Sequence, residues 1–395
     1  MTAPFPDLRK NLGIPLLAAL LAVSLAGWEP ARQEALGNAA PRFKGNRLEE
    51  FSRLIRDLSE AGGFFRSDNF TSNETSYLHV ADRLRELGGA GGAYIGVGPE
   101  QNFTYIALTR PEIAFIVDLR RQAMLQHLLY KAVFHASPNR ASFLSNLLSR
   151  PLAGELARQA NASLEKLVEH FASAPAPDRV FRANLQRVRT AIRAEFRVPL
   201  SESDLERLEF VYSAFWKEGL AISYNLGPTS WGGGHGRFPT LGELLLQRDL
   251  NGSRRSFLAS DEDYRFVRSL HLRNRIIPVV GDFAGPKALA SIGEYLRRNG
   301  ITLRVFYTSN VEQFLFRNGV FEAFAANVKK LPFDENSVIV RAVPSRGQYH
   351  PAQVTGHRIT TVLQKISVLL REYEAGDSSD YWSLVTTHYI TGQPR

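Results

Sequence analysis

The sequence predicts an α/β fold in which a mostly parallel sheet carries helices on both faces and is interrupted by a mainly helical insertion. Short apolar runs alternate with helical periodicity over residues 93–138 and again over residues 274–395, and polar residues follow the apolar runs. Residues 139–273 show helical periodicity without a convincing buried strand. Strands that alternate with helices favour a parallel sheet. At 395 residues and 44% hydrophobic composition, the chain can form one large core with an insertion, or two domains.

Residues 1–40 resemble a targeting segment. Arg9 and Lys10 precede an apolar run over residues 12–28, and small and polar residues follow it. This order is typical of a secretory signal peptide, whose apolar region is shorter than a membrane-spanning helix. We therefore expect an exported protein, either cleaved near Ala40 or held in the membrane by an uncleaved N-terminal anchor. A cytoplasmic location is the alternative.

Composition narrows the chemistry and the partners. The chain has no cysteine, which excludes disulfides, thiol nucleophiles and cysteine-ligated zinc. Its net charge is +9, and a basic surface attracts nucleic acid, anionic lipid or anionic polymer. For an exported protein we expect a membrane surface or an anionic envelope polymer. Nucleic acid is not expected, because the arginines of residues 179–197 fit the solvated face of an amphipathic helix.

Residues 41–138 form the first predicted half of the fold. Apolar residues recur at helical spacing over residues 46–58, and a second helix is predicted over residues 76–87. Apolar runs at residues 93–97 and 113–117 then predict two strands joined by a helical turn. Helical spacing returns after Asp118, so the local order is strand, helix, strand, helix.

Residues 139–273 form the predicted helical insertion, and residues 274–395 the second half of the fold. A segment rich in glycine, residues 225–240, interrupts the insertion and predicts a mobile loop or a lid over a site. Its His235 is the best histidine candidate for acid–base catalysis, since imidazole titrates near neutrality. In the second half we predict strands at residues 276–280, 303–307, 337–343 and 382–389, and helices at residues 287–299, 311–328 and 360–373.

Polar residues follow four of the predicted strands, at residues 96–102, at Asp118, at Asp282 and at residues 308–310. In an open parallel sheet, ligands bind at the carboxyl ends of the strands, near the point where strand order reverses. Asp118 follows Gly96 at close to the roughly 20-residue spacing of an acid that accepts hydrogen bonds from a ribose. The pattern predicts a nucleotide-bearing small-molecule ligand, with helix capping as the alternative role of both aspartates.

This order of segments resembles a class I S-adenosylmethionine-dependent methyltransferase fold: GVG after the first strand, an acidic residue after the second, GDF after the third and YTSN after the fourth. More narrowly, YIGVGPEQNFTYI and FIVDLR resemble segments of an uncharacterised bacterial family with that fold. The resemblance covers residues 90–135 and 275–390. It implies S-adenosylmethionine as the cofactor, with Gly96 and Gly98 beside its methionine portion, Asp118 on its ribose, and Asp282 with Phe283 near its adenine.

The resemblance also implies that the strand end from Tyr307 to Asn310 faces the substrate. The usual glycine-rich loop is replaced after Gly98 by Pro99-Glu100-Gln101-Asn102. Glu100, Gln101 and Asn102 are therefore expected at the ligand, where the Glu100 carboxylate either pairs with an ammonium or sulfonium or blocks the cofactor. A simple role at the start of the next helix is the alternative.

Fold does not determine function, so two other functions stay open. One is a non-catalytic exported module that uses the same fold to bind an anionic envelope polymer or a partner protein. The other is a different enzyme class, such as a hydrolase, with Glu100 as general base. No metal site is expected, because the spacing of His350 and His357 matches no familiar metal-binding helix.

Overall fold

A computed structural model describes residues 48–152, 156, 162–226, 237–345, 347–376 and 380–392, and six strands in these residues form one sheet. They are β1 (Ala93–Gly96), β2 (Ile113–Asp118), β3 (Ile276–Val280), β4 (Leu303–Ser309), β5 (Phe333–Pro344) and β6 (Ile359–Lys365). The sheet order is β3-β2-β1-β4-β5-β6. Neighbouring strands are parallel except β5 and β6, which are antiparallel. The predicted α/β fold with a mostly parallel sheet is confirmed.

The strand order reverses between β1 and β4. From β1 the chain adds β2 and then β3 on one side, and it returns to place β4, β5 and β6 on the other side. Ala93 of β1 therefore pairs with Ile113 of β2 and with Leu303 of β4. In doubly wound sheets such a reversal leaves a crevice outside the carboxyl ends of the two central strands, where ligands bind.

Fifteen α-helices lie within the described residues, together with a π-helical turn (Ala191–Glu195) and a 3-10 turn (Gly219–Ala221). The α-helices are α1 (Leu48–Leu58), α2 (Ala81–Gly88), α3 (Gln101–Thr109), α4 (Arg121–Ala136), α5 (Arg140–Leu148), α6 (Leu164–Ser173), α7 (Asp178–Thr190), α8 (Glu202–Glu218), α9 (Leu241–Leu245), α10 (Asp261–Leu272), α11 (Ala288–Arg298), α12 (Val311–Arg317), α13 (Phe321–Lys329), α14 (Ile366–Ala375) and α15 (Tyr381–Thr386).

The helices form two groups. In one, α2, α3, α10 and α4 pack against one another in that order, and in the other α1, α11, α13 and α14 do so. Every residue of β1, β2 and β3 is buried. Because successive side chains of a strand point to opposite faces, both faces of this part of the sheet are covered.

The helices between β2 and β3 extend the first group. Helices α5 to α10 lie in residues 139–273, where α8 packs on α4 and α5, and α10 packs on α3 and α4. The described residues belong to a single compact unit. The helical region is therefore continuous with the layer over the sheet.

Three predicted elements of the second half differ from the structure. Residues 360–373 are not one helix but strand β6 followed by α14, since a run of Ile, Thr and Val residues fits a strand well. Residues 311–328 are two helices, because the chain turns at Gly319, whose φ of +67° suits glycine. Residues 382–389 contain α15 instead of a strand, and the Asp380 side chain caps this helix by accepting hydrogen bonds from the backbone N–H groups of Trp382 and Ser383.

In the part of the chain that the structure describes, no helix is long and apolar enough to cross a membrane. The predicted targeting segment, residues 1–40, lies outside the described residues.

A basic cluster is buried beside α4. The Lys131 ammonium is 1% exposed, donates hydrogen bonds to the carbonyl oxygen of His271 (2.5 Å) and to Oδ1 of Asn274 (2.6 Å), and lies 4.5 Å from the ring centroid of Phe51. Burial lowers the pKa of Lys131 to about 7 and, together with the nearby ammonium, that of His135 to about 3. Burial thus shifts the protonation of both groups toward the neutral form in the folded state.

Replacing Lys131 by methionine is expected to change how stability depends on pH. The folded pKa of about 7 lies below the ordinary value of 10.5, so the folded state binds fewer protons than the unfolded state between these values. The wild type should therefore gain roughly 1 kcal/mol of unfolding free energy per pH unit across this window, and lose it as the pH falls. Lys131→Met removes this gain. Urea unfolding of both proteins at pH 7, 8.5 and 10 measures this gain, and Lys217→Met, at an exposed lysine, is the control. If the unfolding free energies of the wild type and Lys131→Met differ by the same amount at all three pH values, the account is contradicted.

Candidate functional site

A cavity of about 230 Å³ opens at the carboxyl ends of the parallel strands, at the reversal of strand order. Each of β1, β2, β3 and β4 contributes the residues that follow it, and the segment between α1 and α2 closes the remaining side. The polar and glycine residues of the wall are Asn69, Ser72, Asn73, Glu74, Gly98, Asp118, Arg120, Tyr224, Gly281, Asp282, Tyr307, Ser309, Asn310 and Asn318.

The cavity brings together only part of the predicted site. The predicted residues that line it are Gly98, Asp118, Asp282, Phe283, Tyr307 and Asn310. Those that do not are Gly96, Glu100, Gln101 and Asn102. His235, with most of the glycine-rich segment, lies outside the described residues.

Glu100 points away from the cavity. Its Oε1 accepts a hydrogen bond from the backbone N–H of Ser72 at 3.2 Å, and its side chain lines a separate small space with Tyr77 and Phe257. The side chain is buried, and this burial raises its pKa to about 7. Both predicted effects of Glu100, pairing with a ligand and blocking it, are therefore corrected, because at the start of α3 its side chain turns into the protein.

Asn102 and Gly96 build the turn after β1 instead of touching the cavity. The Asn102 amide donates hydrogen bonds to the carbonyl oxygens of Val97, Gly98 and Pro99 at 2.8–3.0 Å. Its Oδ1 accepts one from the Tyr94 hydroxyl at 2.8 Å. A Cβ at Gly96 would overlap this oxygen. The predicted ligand contacts of both residues are thus corrected to positioning roles.

Gly98 is the glycine of this turn that faces the cavity. Its φ is +80°, a backbone conformation that favours glycine, and a Cβ there would meet nothing within 4 Å. Bare backbone therefore borders the cavity at this position, as the glycine pattern predicted.

Glu74 is the central acidic group of the site, and the sequence analysis did not identify it. The side chain is 2% exposed, and its Oε1 accepts hydrogen bonds from the hydroxyls of Tyr307 (2.7 Å) and Ser309 (2.5 Å). Its Oε2 accepts one from the Gln101 amide at 2.7 Å. Burial raises the pKa of Glu74, and these hydrogen bonds oppose that rise. Gln101 therefore holds Glu74 and does not line the cavity, which corrects the predicted ligand contact.

Tyr307 lies in the wall of the cavity as predicted. Its hydroxyl donates to Glu74 and accepts a hydrogen bond from the Gln101 amide at 3.0 Å. Burial, with the neighbouring Glu74 carboxyl, raises the pKa of Tyr307 well above its ordinary value. The phenol therefore stays protonated, and it donates its proton to Glu74.

Asp118 is paired with Arg120. The guanidinium donates to Oδ1 at 3.0 Å and to Oδ2 at 2.8 Å, and the backbone N–H of Arg120 donates to Oδ1 at 2.9 Å. Arg120 also donates to the carbonyl oxygen of Asp68 at 2.7 Å, which ties the segment between α1 and α2 to the end of β2. A carboxylate offers about four acceptor positions, so Asp118 keeps about one for a ligand.

Asp282 and Phe283 form the wall after β3. Asp282 Oδ1 accepts a hydrogen bond from the backbone N–H of Ala284 at 2.9 Å, which stabilises the turn. The Phe283 ring packs on Phe306 with its centroid 5.0 Å away. Asp282 thus stabilises this turn and lines the cavity. It does not cap α11, whose N-cap residue is Lys287, so the predicted capping role is wrong.

The mouth of the cavity is aromatic and its interior is acidic. Phe64 is 86% exposed, and Phe65 packs edge-on against Phe314 with ring centroids 5.2 Å apart. The cavity wall contains three carboxyl groups and one guanidinium, although the whole chain has a net charge of +9. The described residues contain no group of three or more acidic or histidine side chains arranged to hold a metal ion.

Comparison with known families finds a matching family model. A family model described as "Domain of unknown function (DUF7790)" matches residues 69–212 and 228–392. The chain belongs to this family. No curated protein matches the chain.

The two DUF7790 segments contain all four strand ends that form the cavity, together with Glu74. The aromatic residues Phe64 and Phe65 at the mouth lie just before the first segment. Apart from Tyr224, which lies between the two segments, the polar residues of the cavity wall are therefore part of the family domain.

Proposed function

We propose that this chain binds a nucleotide-bearing small molecule in the strand-end cavity, with S-adenosylmethionine as the ligand and methyl transfer as the reaction class. One observation carries the proposal: Gly98, Asp118 and Asp282, from three different strand ends, line a single cavity at the reversal of strand order. Doubly wound sheets with the strand order 3-2-1-4-5-6 bind dinucleotides at this point.

The residues of the cavity fit the chemical groups of this ligand. Bare backbone at Gly98 leaves room for the methionine portion, and the Glu74 carboxyl suits its cationic end. The remaining acceptor position of Asp118 suits a ribose hydroxyl, and Asp282 with the Phe283 ring suits an adenine. When bound, S-adenosylmethionine supplies an electrophilic methyl group on a sulfonium.

The volume of the cavity indicates that a nucleotide-sized ligand would be partly exposed to solvent. Ligand cavities typically measure about 300–1,000 Å³, and this one measures about 230 Å³. A ligand of nucleotide size would therefore extend to the mouth, where the exposed Phe64 ring offers a flat surface for stacking. Tyr307 and Asn310, at the end of β4, would meet the methyl acceptor, and His235 stays a proposed acid–base residue.

Isothermal titration of the full chain with S-adenosylmethionine tests this proposal. We expect saturable binding to the wild type. Glu74→Gln should bind about 10- to 100-fold more weakly, because it loses a charge-assisted contact worth about 1.5–3 kcal/mol. Asp282→Asn keeps the oxygen that stabilises the turn and should also weaken binding. Glu294→Gln, an exposed site on α11, is the matched control and should bind as the wild type does.

The alternative is a non-catalytic module that binds an anionic envelope polymer or a membrane surface. Its support is the net charge of +9, from 48 basic and 39 acidic side chains. It predicts no heat with S-adenosylmethionine, binding to anionic polymer that weakens steeply with salt, and indifference to Glu74→Gln and Asp282→Asn. Those results together would overturn the methyltransferase proposal.

A further inference from the structure

Ser309 occupies an unusual backbone position in the cavity wall. It is the last residue of β4, and α12 begins two residues later at Val311. Its φ is +52°, in the left-handed region that few residues other than glycine adopt. Such outliers cluster at functional sites, and a strained turn from strand to helix is also how α/β-hydrolases expose a nucleophilic serine.

The Ser309 hydroxyl already contacts a possible base. It donates a hydrogen bond to Oε1 of Glu74 at 2.5 Å, and Ser309 is partly exposed in the cavity wall while Glu74 is buried behind it. A base within hydrogen-bond reach is the first geometric requirement for activating a serine.

The base is held in turn by other groups. Tyr307 donates to Oε1 of Glu74 and Gln101 donates to Oε2, so both oxygens of the carboxyl are fixed. Gln101 is itself held, because its Oε1 accepts a hydrogen bond from the Ser72 hydroxyl. The nucleophile, its base and the groups that orient the base thus form one chain of hydrogen bonds. Enzymes that transfer acyl groups through a serine use the same order of groups.

We propose that the same cavity catalyses acyl transfer from small carboxylic esters, with Ser309 as nucleophile and Glu74 as general base. A short acyl or aryl ester fits within the cavity, and the three carboxyl groups of the wall favour a neutral or cationic ester over an anionic one. This activity goes beyond the proposed methyl transfer and requires no cofactor, since every reacting group belongs to the chain, the ester or water.

The reaction balances in two steps. Ser309 Oγ attacks the ester carbonyl carbon while its proton moves to Glu74, and the resulting tetrahedral intermediate collapses as the C–O bond to the alcohol breaks. Glu74 returns the proton to the departing alkoxide, which leaves an ester on Ser309. Water then attacks that ester while Glu74 accepts its proton, the bond between the acyl carbon and Ser309 Oγ breaks, and Glu74 returns the proton to Ser309 Oγ as the carboxylic acid departs. Asn310, the next residue in the wall, carries a side-chain amide able to donate to the oxyanion.

Diisopropyl fluorophosphate, a neutral reagent that phosphorylates activated serines, tests the proposal on the full chain. Intact-protein and peptide mass spectrometry should show one adduct, on Ser309. Ser309→Gly should lose this adduct and should fold, because glycine adopts a positive φ freely. Ser309→Asn is a second variant without the hydroxyl, since asparagine also tolerates this conformation. Glu74→Gln should slow labelling at least about 100-fold, the usual effect of a general base.

Ser203→Ala, at an exposed serine of α8, is the matched control and should label at the wild-type rate. Hydrolysis of p-nitrophenyl acetate should fall in parallel with labelling in each variant. No adduct on Ser309, labelling that persists in both Ser309 variants, or labelling of Glu74→Gln at the wild-type rate would each overturn the proposal. These outcomes leave the S-adenosylmethionine titration of the wild type unaffected, so the two proposals fail separately.

Discussion

Replacing Glu312 by alanine is expected to lower the free energy of unfolding by about 3–5 kcal/mol, because it leaves a buried guanidinium without its counter-charge. Arg341 donates to both carboxylate oxygens of Glu312, at 2.6 and 3.1 Å, and each side chain is 1% exposed. The pair joins α12 to β5, and a third guanidinium hydrogen bond goes to Gln364 at 2.7 Å. Urea unfolding followed by circular dichroism measures the loss.

Two further variants make this prediction specific. Glu294→Ala removes a carboxylate from an exposed ion pair with Arg298 and should cost less than about 1 kcal/mol. The double variant Glu312→Leu with Arg341→Met replaces both charges by apolar groups and should recover much of the stability that Glu312→Ala loses. A loss below about 1 kcal/mol for Glu312→Ala would contradict the account.

Replacing Asn102 by alanine is expected to destabilise the fold by about 2–4 kcal/mol and to weaken any ligand in the cavity. The side chain is fully buried and satisfies three backbone carbonyl groups and the Tyr94 hydroxyl. Each buried polar group left without a partner costs about 1–3 kcal/mol. Because all three carbonyls belong to residues that line the cavity, Val97, Gly98 and Pro99, the change should also loosen the cavity wall.

Urea unfolding and titration of the same protein separate the two effects. Asn299→Ala, which removes a hydrogen bond on the exposed surface of α11, is the control and should change the unfolding free energy by less than about 1 kcal/mol. An Asn102→Ala protein as stable as the wild type would show that the turn does not depend on this side chain.

The strands could be predicted from sequence where burial leaves a clear pattern. The apolar runs of β2 and β3 end at Asp118 and at Gly281, and both were placed to within a residue. The run from Thr360 to Leu363 was assigned to a helix, because a short apolar stretch next to a genuine helix fits either period. Its pairing with β5 is a long-range contact, which local spacing does not encode.

The residues of the site could likewise be predicted only where the local sequence pattern indicates their position. Gly98, Asp118 and Asp282 could be predicted because each lies at or just after the end of a strand, and parallel strands bring their carboxyl ends to one edge. Glu74 was missed because it lies before the first strand, in a polar stretch that fits turns and caps equally well. Glu100 was predicted in its place, since the direction of a side chain at a helix start depends on neighbours that only the fold supplies.

The central claim is that the cavity at the reversal of strand order holds the ligand, and a crystal structure of the full chain grown with S-adenosylmethionine tests it most directly. The account predicts electron density in the cavity, with the ribose beside Asp118, the base near Asp282 and the methionine end between Gly98 and Glu74. A ligand bound anywhere else on the protein, or a cavity empty of ligand in crystals grown at saturating concentration, would contradict it.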